Sequence, residues 1–141
     1  MTVIPDQIFK NTFTSSGFLN LTPKDAYEVC LNGALLLDVR DPALTAFKQF
    51  GVPEFISCHH IKLREFASHL PDKRVLIVAD SVGLFSHEAM IILKDLGFEN
   101  IINLAGGLVE WERDGMPVMI DKNERLSGSC VCQLRPRERK G

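Results

Sequence analysis

Short, continuous apolar runs separated by helical stretches most strongly constrain the fold of this chain. Residues 35–39, 75–79 and 101–104 are such runs, each only four or five residues long. Runs of this kind are typical of strands buried on both faces of a parallel sheet. Helical periodicity follows Thr22-Pro23 and recurs over residues 86–96, where Ser86 is the predicted N-cap. The alternation predicts an α/β fold with a parallel sheet and helices on both of its faces.

The 141 residues suffice for one domain with a short tail. We predict an N-terminal arm or short strand over residues 1–20, a folded domain over 21–120 and a flexible tail over 121–141. Residues 1–120 carry 10 basic and 15 acidic side chains, whereas residues 121–141 carry 6 and 3. The tail is therefore basic, and the domain that precedes it is acidic.

Composition excludes several classes of protein. Apolar residues make up 45% of the chain, yet no apolar stretch approaches the roughly 20 residues that span a bilayer. The N-terminus lacks the basic and then apolar layout of a secretory signal. The basic tail has no interleaved aromatic residues, so no nucleic-acid partner is predicted. We expect a cytoplasmic protein without a membrane partner, present as a monomer or a weak homodimer.

The loop after the run 75–79 is the candidate functional site. A strand that passes through a tight loop into a helix exposes unpaired N–H groups, which form a cradle for anions. The loop residues are Asp80, Ser81, Val82, Gly83, Leu84 and Phe85. The leading interpretation is that the Asp80 carboxylate itself accepts hydrogen bonds from these N–H groups. Binding of a cation or a cationic side chain, and nucleophilic aspartate chemistry, are the alternatives.

Cysteine and histidine residues provide further candidates. Cys30 and Cys58 are predicted to be packed in the core. His59 and His60 follow Cys58, but adjacent residues of an extended segment point to opposite sides, so no metal site is predicted there. His87 lies in the first turn of a helix and is interpreted as a surface residue, with donation to a ligand at the loop as the alternative.

Cys130 and Cys132 form a separate pair in the basic tail. Arg125 and Arg135 lie nearby and would favour the reactive thiolate form. The pair can carry sulfur, form a strained disulfide or contribute two ligands to a soft metal ion. An incidental pair without a role is the remaining alternative.

Several motifs together resemble a single-domain rhodanese, the family of sulfurtransferases and their non-catalytic relatives. They are Leu-Leu-Asp-Val-Arg-Asp-Pro at 36–42, the Gly83 loop, Leu-Gly-Phe-Glu-Asn at 96–100, Leu-Ala-Gly-Gly at 104–107, and Trp111. The resemblance covers roughly residues 20–120 and implies a five-stranded parallel sheet flanked by helices. It also implies that Asp38 and Arg40 hydrogen-bond within the scaffold.

The resemblance also identifies what is changed at the loop. Active rhodaneses begin this loop with a cysteine that becomes a persulfide, and an arginine lies five positions later. Asp80 and Phe85 occupy those positions here. The family segment Gly-His-Ile-Pro-Gly-Ala is replaced by residues 53–58, Pro-Glu-Phe-Ile-Ser-Cys.

These substitutions predict a rhodanese-like binding or regulatory module without thiosulfate sulfurtransferase activity at the loop. The alternative is sulfur transfer, redox chemistry or metal carriage by Cys130 and Cys132. A protein partner, or a sulfur donor or acceptor, is expected in either case, and no cofactor is predicted.

Overall fold

A computed structural model describes residues 6–120 of the chain. The helices are α1 (Asp6–Asn11), α2 (Pro23–Leu31), α3 (Pro42–Phe47), α4 (Leu63–Phe66), α5 (Leu84–Asp95) and α6 (Gly107–Arg113). The strands are β1 (Phe13–Ser15), β2 (Phe18–Leu21), β3 (Leu35–Asp38), β4 (Lys48–Phe50), β5 (Phe55–Ser57), β6 (Leu76–Ala79), β7 (Ile101–Leu104) and β8 (Val118–Ile120). Within residues 6–120, every helix is too short or too polar to cross a membrane.

The main sheet has the strand order β1-β2-β7-β6-β3-β5. The five strands from β2 to β5 in this order are parallel, which confirms the predicted α/β fold with a five-stranded parallel sheet. β1 adds a sixth strand, antiparallel to β2, at one edge. Residues 13–21 form a hairpin, and its second strand, β2, joins the parallel part of the sheet. Most of this hairpin lies within the predicted arm over residues 1–20.

Alternate side chains of the central strands enter two separate apolar layers. Leu36, Ile77 and Ile102 pack on one face with Trp111 of α6 and with α2. Leu37 and its neighbours pack on the other face with α4 and α5. Side chains of successive strand residues point to opposite faces, so a continuous apolar run supplies both layers. The prediction of helices on both faces is confirmed.

A two-stranded ribbon lies beside the sheet, and the sequence pattern does not predict it. β4 and β8 pair antiparallel, with Lys48 opposite Ile120 and Phe50 opposite Val118. Trp111 anchors the approach to β8, because its Nε1–H donates to the Pro117 carbonyl at 2.7 Å. β8 therefore ends beside Lys48.

The predicted start of α5 at Ser86 is wrong. α5 begins at Leu84, and Gly83 is its N-cap with a φ of +95°, a left-handed conformation that favours glycine. Ser86 is the third helical residue and is buried. The helix predicted after Thr22-Pro23 is confirmed as α2, and the Thr22 hydroxyl caps it by accepting from the Asp25 N–H.

A buried ion pair ties the ribbon to the sheet. The Arg40 guanidinium contacts both carboxylate oxygens of Asp38, with Nη2 2.6 Å from Oδ2 and Nε 2.9 Å from Oδ1. The same Nη2 donates to the Lys48 carbonyl at 2.7 Å. The scaffold role implied for Asp38 and Arg40 is confirmed.

Arg40→Ala should be strongly destabilising, because it leaves the buried Asp38 carboxylate without its partner. We expect a loss of about 3 kcal/mol in the free energy of unfolding, measured by urea denaturation. Arg64→Ala is the matched control, since Arg64 pairs with Asp95 on the surface, and it should cost less than about 1 kcal/mol. Equal losses in the two variants would contradict the proposed anchoring of the ribbon.

Candidate functional site

Asp80 lies directly after β6, at the carboxyl edge of the parallel sheet, and the residue is only 1% exposed. Its carboxylate accepts hydrogen bonds from three backbone N–H groups of the loop and the first turn of α5. Oδ1 accepts from Gly83, and Oδ2 accepts from Phe85 at 2.6 Å and Ser86 at 3.2 Å. The leading interpretation of Asp80 as an acceptor for the loop N–H groups is confirmed.

The charge of Asp80 is stabilised by backbone donors. Among the described residues Asp80 makes no ion pair, so the cationic side chain considered as an alternative is not found there. The N-terminal end of α5 carries a partial positive charge, which favours an anion at this position. The loop therefore contains its own anion.

Asp80 also influences the neighbouring strand. Asp38 lies opposite Ala79 in the sheet, one residue before Asp80. Burial raises the pKa of the Asp38 carboxyl, the hydrogen bonds and charge of Arg40 lower it, and the charge of Asp80 adds a smaller increase. Two carboxylates thus share this edge of the sheet, one held by a guanidinium and the other by N–H groups.

α6 holds the loop from the side opposite α5. The Leu108 N–H donates to the Asp80 carbonyl at 2.8 Å, and the Val109 N–H donates to the Ser81 carbonyl at 3.0 Å. Gly107 permits this close approach, since a Cβ at that position would lie 2.5 Å from the Asp80 carbonyl oxygen. The loop is fixed by backbone contacts on both sides.

Phe85 stacks on a histidine. Its ring lies nearly parallel to the His60 ring, with the centroids 4.2 Å apart. Nδ1 of His60 is 3.7 Å from a carboxylate oxygen of Glu88, one turn further along α5. The rings of His59 and His60 meet edge to face at 4.7 Å. The segment after β5 therefore contacts the start of α5.

The remaining candidate residues lie away from the Asp80 carboxylate contacts. His87 packs edge to face on Phe18 at 5.3 Å. Cys30 and Cys58 are buried, as predicted, and burial raises the pKa of Cys30 to about 12 and also raises that of Cys58. Within residues 6–120, no three His, Cys, Asp or Glu side chains are grouped to hold a metal ion. Cys130 and Cys132 lie outside the described residues.

Several exposed apolar side chains lie in the loop or beside residues that contact it, and the sequence does not predict their exposure. These five side chains are between 44% and 70% exposed, and we call them the loop face. They are Ile61, Val82, Leu84, Phe85 and Val109. Ile61 adjoins the histidine that stacks on Phe85, and Val109 donates its N–H to the loop. The sequence contains one indication of these exposed side chains, since three of the six loop positions are apolar.

Asp80→Ala should destabilise the protein by about 2 kcal/mol, because three N–H groups lose their acceptor. Asp41→Ala is the matched control: Asp41 is exposed, caps α3 through the Ala43 N–H at 2.8 Å, and should cost about 1 kcal/mol. Asp80→Asn retains one carbonyl acceptor and should fall between wild type and Asp80→Ala. Chemical denaturation measures the order, and a smaller loss in Asp80→Ala than in Asp41→Ala would contradict the assignment.

Comparisons with known proteins agree with this architecture. Residues 22–114, more than half of the chain, match the rhodanese-like domain family. A sulfurtransferase of Allochromatium vinosum is 32% identical over 87 residues, which cover 60% of this chain and 78% of that protein. The thiosulfate sulfurtransferase GlpE of Ectopseudomonas mendocina is 31% identical over 96 residues, which cover 68% of this chain and 86% of that protein.

Solved structures show the same fold. The crystal structure of a rhodanese-related protein from Thermoplasma volcanium superimposes with a TM-score of 0.65 and 28% identity, covering 72% of this chain and 98% of that one. A full-length protein from Lactobacillus plantarum gives a TM-score of 0.63 with 25% identity over 72% of this chain and 88% of that one. The chain belongs to the rhodanese-like domain family.

Proposed function

We propose that this chain is a rhodanese-like binding module that lacks thiosulfate sulfurtransferase activity at the loop 80–85. The observation that carries the proposal is the Asp80 carboxylate, which accepts hydrogen bonds from the Gly83, Phe85 and Ser86 N–H groups. These donors are the ones that a substrate anion would need. An anion that entered the loop would therefore meet the buried Asp80 carboxylate and would find these N–H donors already occupied.

The chemistry of the first loop residue supports the same conclusion. Sulfur transfer through a persulfide requires a polarizable thiolate that attacks sulfane sulfur and later departs. A carboxylate oxygen is a poor nucleophile towards sulfur. Asp80 is also held by its hydrogen bonds within the loop, so its oxygens are not directed towards an incoming substrate.

Phe85 supports a role in protein binding. At this position an arginine would orient an anionic substrate, whereas Phe85 presents an apolar ring that stacks on His60. Val82 and Leu84 of the same loop are also exposed, so the position where the family keeps its active site carries three exposed apolar side chains. Exposed apolar groups of this kind are characteristic of interaction sites.

The two cysteines of the domain do not replace the missing thiol. Cys30 is buried, and its pKa of about 12 keeps it protonated at neutral pH. The Cys58 thiol is also buried, its pKa is raised, and it lies 3.6 Å from the carbonyl oxygen of His59. A reactive thiol needs to be exposed and to have a lowered pKa, and Cys30 and Cys58 meet neither condition.

The protein should therefore show no thiosulfate:cyanide sulfurtransferase activity above the reagent blank. The GlpE relative from E. mendocina, assayed in parallel, serves as the positive control for the assay. Formation of thiocyanate that persists in a Cys130→Ala/Cys132→Ala variant would contradict the proposal, because it would place turnover on the domain itself.

Sulfur carriage by the tail is the second candidate function. The relatives named as sulfurtransferases favour it, and Cys130 and Cys132 lie between Arg125 and Arg135 in a setting that promotes thiolate formation. A persulfide donor R–S–S⁻ would transfer its terminal sulfur to a tail thiolate, which forms Cys–S–S⁻ and releases R–S⁻. A cytoplasmic location, where thiols stay reduced, is part of this proposal.

Mass spectrometry after incubation with a persulfide donor tests sulfur carriage. Uptake of one sulfur atom on the peptide that contains Cys130 and Cys132, lost in the double alanine variant, is the expected result for a carrier. Cys30 and Cys58 are the internal controls, because their burial should keep them unmodified in the native protein. An unmodified tail under conditions that load a small thiol would exclude the carrier function.

A further inference from the structure

β5 is an edge strand, and within residues 6–120 its outer side pairs with no other strand. It is the last strand in the order of the main sheet and pairs with β3 alone. The Leu36 N–H donates to the Glu54 carbonyl at 3.2 Å, which fixes the residues of β5 that face β3. Alternate residues of a parallel strand bond to the same neighbour, so the N–H and C=O groups of Phe55 and Ser57 point away from β3.

The sequence of β5 leaves this outer side open. The strand Phe-Ile-Ser contains neither a charged residue nor a proline, which are common means of blocking an edge strand. Ser57 is exposed, and Phe55 and Ile56 are half-buried. Another extended strand can therefore add to the sheet at β5.

The two outward residues are self-complementary. When β5 meets the β5 of a second copy antiparallel, about a two-fold axis at Ile56, Phe55 of each copy lies opposite Ser57 of the other. Such a pair exchanges both of its N–H···O=C bonds, so every outward backbone group of β5 finds a partner. The next outward position before Phe55 is Pro53, which has no N–H. A longer strand from another protein would lack a donor there, whereas the two-fold pair does not need one.

A groove beside the amino end of β5 supplies apolar area for the same contact. Its volume is about 460 Å³, and its apolar lining consists of Leu35, Pro53, Phe55, Ile56 and Pro71. Glu54 and Arg74 also line the groove and pair with each other, so neither is an unpaired charge there. The groove therefore fits an apolar side chain.

Ile61 is the side chain that antiparallel pairing brings towards this groove. It lies four residues after Ser57 and is 70% exposed, the highest value among the large apolar residues that the structure describes. In the antiparallel pair, the residues that follow Ser57 in one copy run past those that precede Phe55 in the other. The pairing thus covers an apolar side chain that the single chain leaves in water.

We propose that two copies of this chain associate through antiparallel pairing of their β5 strands, with Ile61 of each copy in the groove of the other. The two sheets then form one continuous sheet. The contact area of two short strands is at the low end for protein interfaces, so the dimer is weak and depends on concentration. The association is independent of whether the loop 80–85 forms thiocyanate.

Sedimentation equilibrium of the full-length protein tests the proposal. The mean mass should rise from one chain towards two as the concentration increases. Ser57→Pro removes an outward N–H without removing a bond to β3, and it should remain monomeric over the same range. Ile61→Ser should raise the dissociation constant about tenfold, whereas Leu31→Ser, at an exposed leucine of α2, should leave it unchanged.

Thr14→Pro is the matched control at the other edge of the sheet. Ser16 and Gly17 form a two-residue turn with φ values of +55° and +83°, so Ser15 and Phe18 exchange hydrogen bonds. The Thr14 N–H therefore points away from β2, as that of Ser57 points away from β3. This variant should dimerise like the wild type, and circular dichroism checks that both proline variants are folded.

Disulfide trapping gives a second test that does not depend on the proline variants. In a Cys130→Ser/Cys132→Ser background, Ile56→Cys places two thiols at the two-fold axis, and oxidation should yield a covalent dimer. Thr14→Cys should yield much less, and Cys30 and Cys58 are buried. A wild-type chain that stays monomeric, a dimer that persists in folded Ser57→Pro, or equal trapping at the two edges would overturn the proposal. An unchanged dissociation constant in Ile61→Ser would overturn the assignment of the groove.

Discussion

The hydrogen bonds between the Asp80 carboxylate and the N–H groups of Gly83, Phe85 and Ser86 determine how this site is organised. A loop between a strand and a helix leaves these donors unpaired, and burial without a partner would cost about 1–3 kcal/mol for each. An enzyme of this architecture can satisfy them with a substrate anion. Here a side chain of the loop satisfies them permanently, so the loop keeps its shape without a ligand.

The rest of the structure is consistent with a loop preserved for its shape. α6 approaches closely at Gly107 and binds the loop backbone through the Leu108 and Val109 N–H groups. The Asp38–Arg40 pair fixes the neighbouring strand end and the ribbon. The rigid edge that results displays apolar side chains, and a rigid apolar surface loses little conformational entropy when a partner binds.

The sequence predicted the parts of the fold that depend on local pattern. The apolar runs identified the central strands because burial on both faces requires continuous apolar residues, and the position of Asp80 after one run predicted its hydrogen bonds. The predicted start of α5 at Ser86 is wrong because it assumes that a serine hydroxyl caps the helix. The helix begins at Leu84, where Gly83 is the N-cap and the Asp80 carboxylate accepts from the first N–H groups. The β4–β8 ribbon depends on pairing between strands of three residues far apart in sequence, and the loop face depends on tertiary exposure. Neither leaves a periodic signal.

An NMR titration tests most directly whether the Asp80 carboxylate occupies the anion cradle. Amide resonances of Gly83, Phe85 and Ser86 are followed while thiosulfate is added to the wild-type protein, with sodium chloride of equal ionic strength as the control. If the Asp80 carboxylate occupies these donors, the resonances shift no more with thiosulfate than with chloride. Saturable shifts of the three amides with thiosulfate would show that the donors are available to a substrate and would contradict this occupancy.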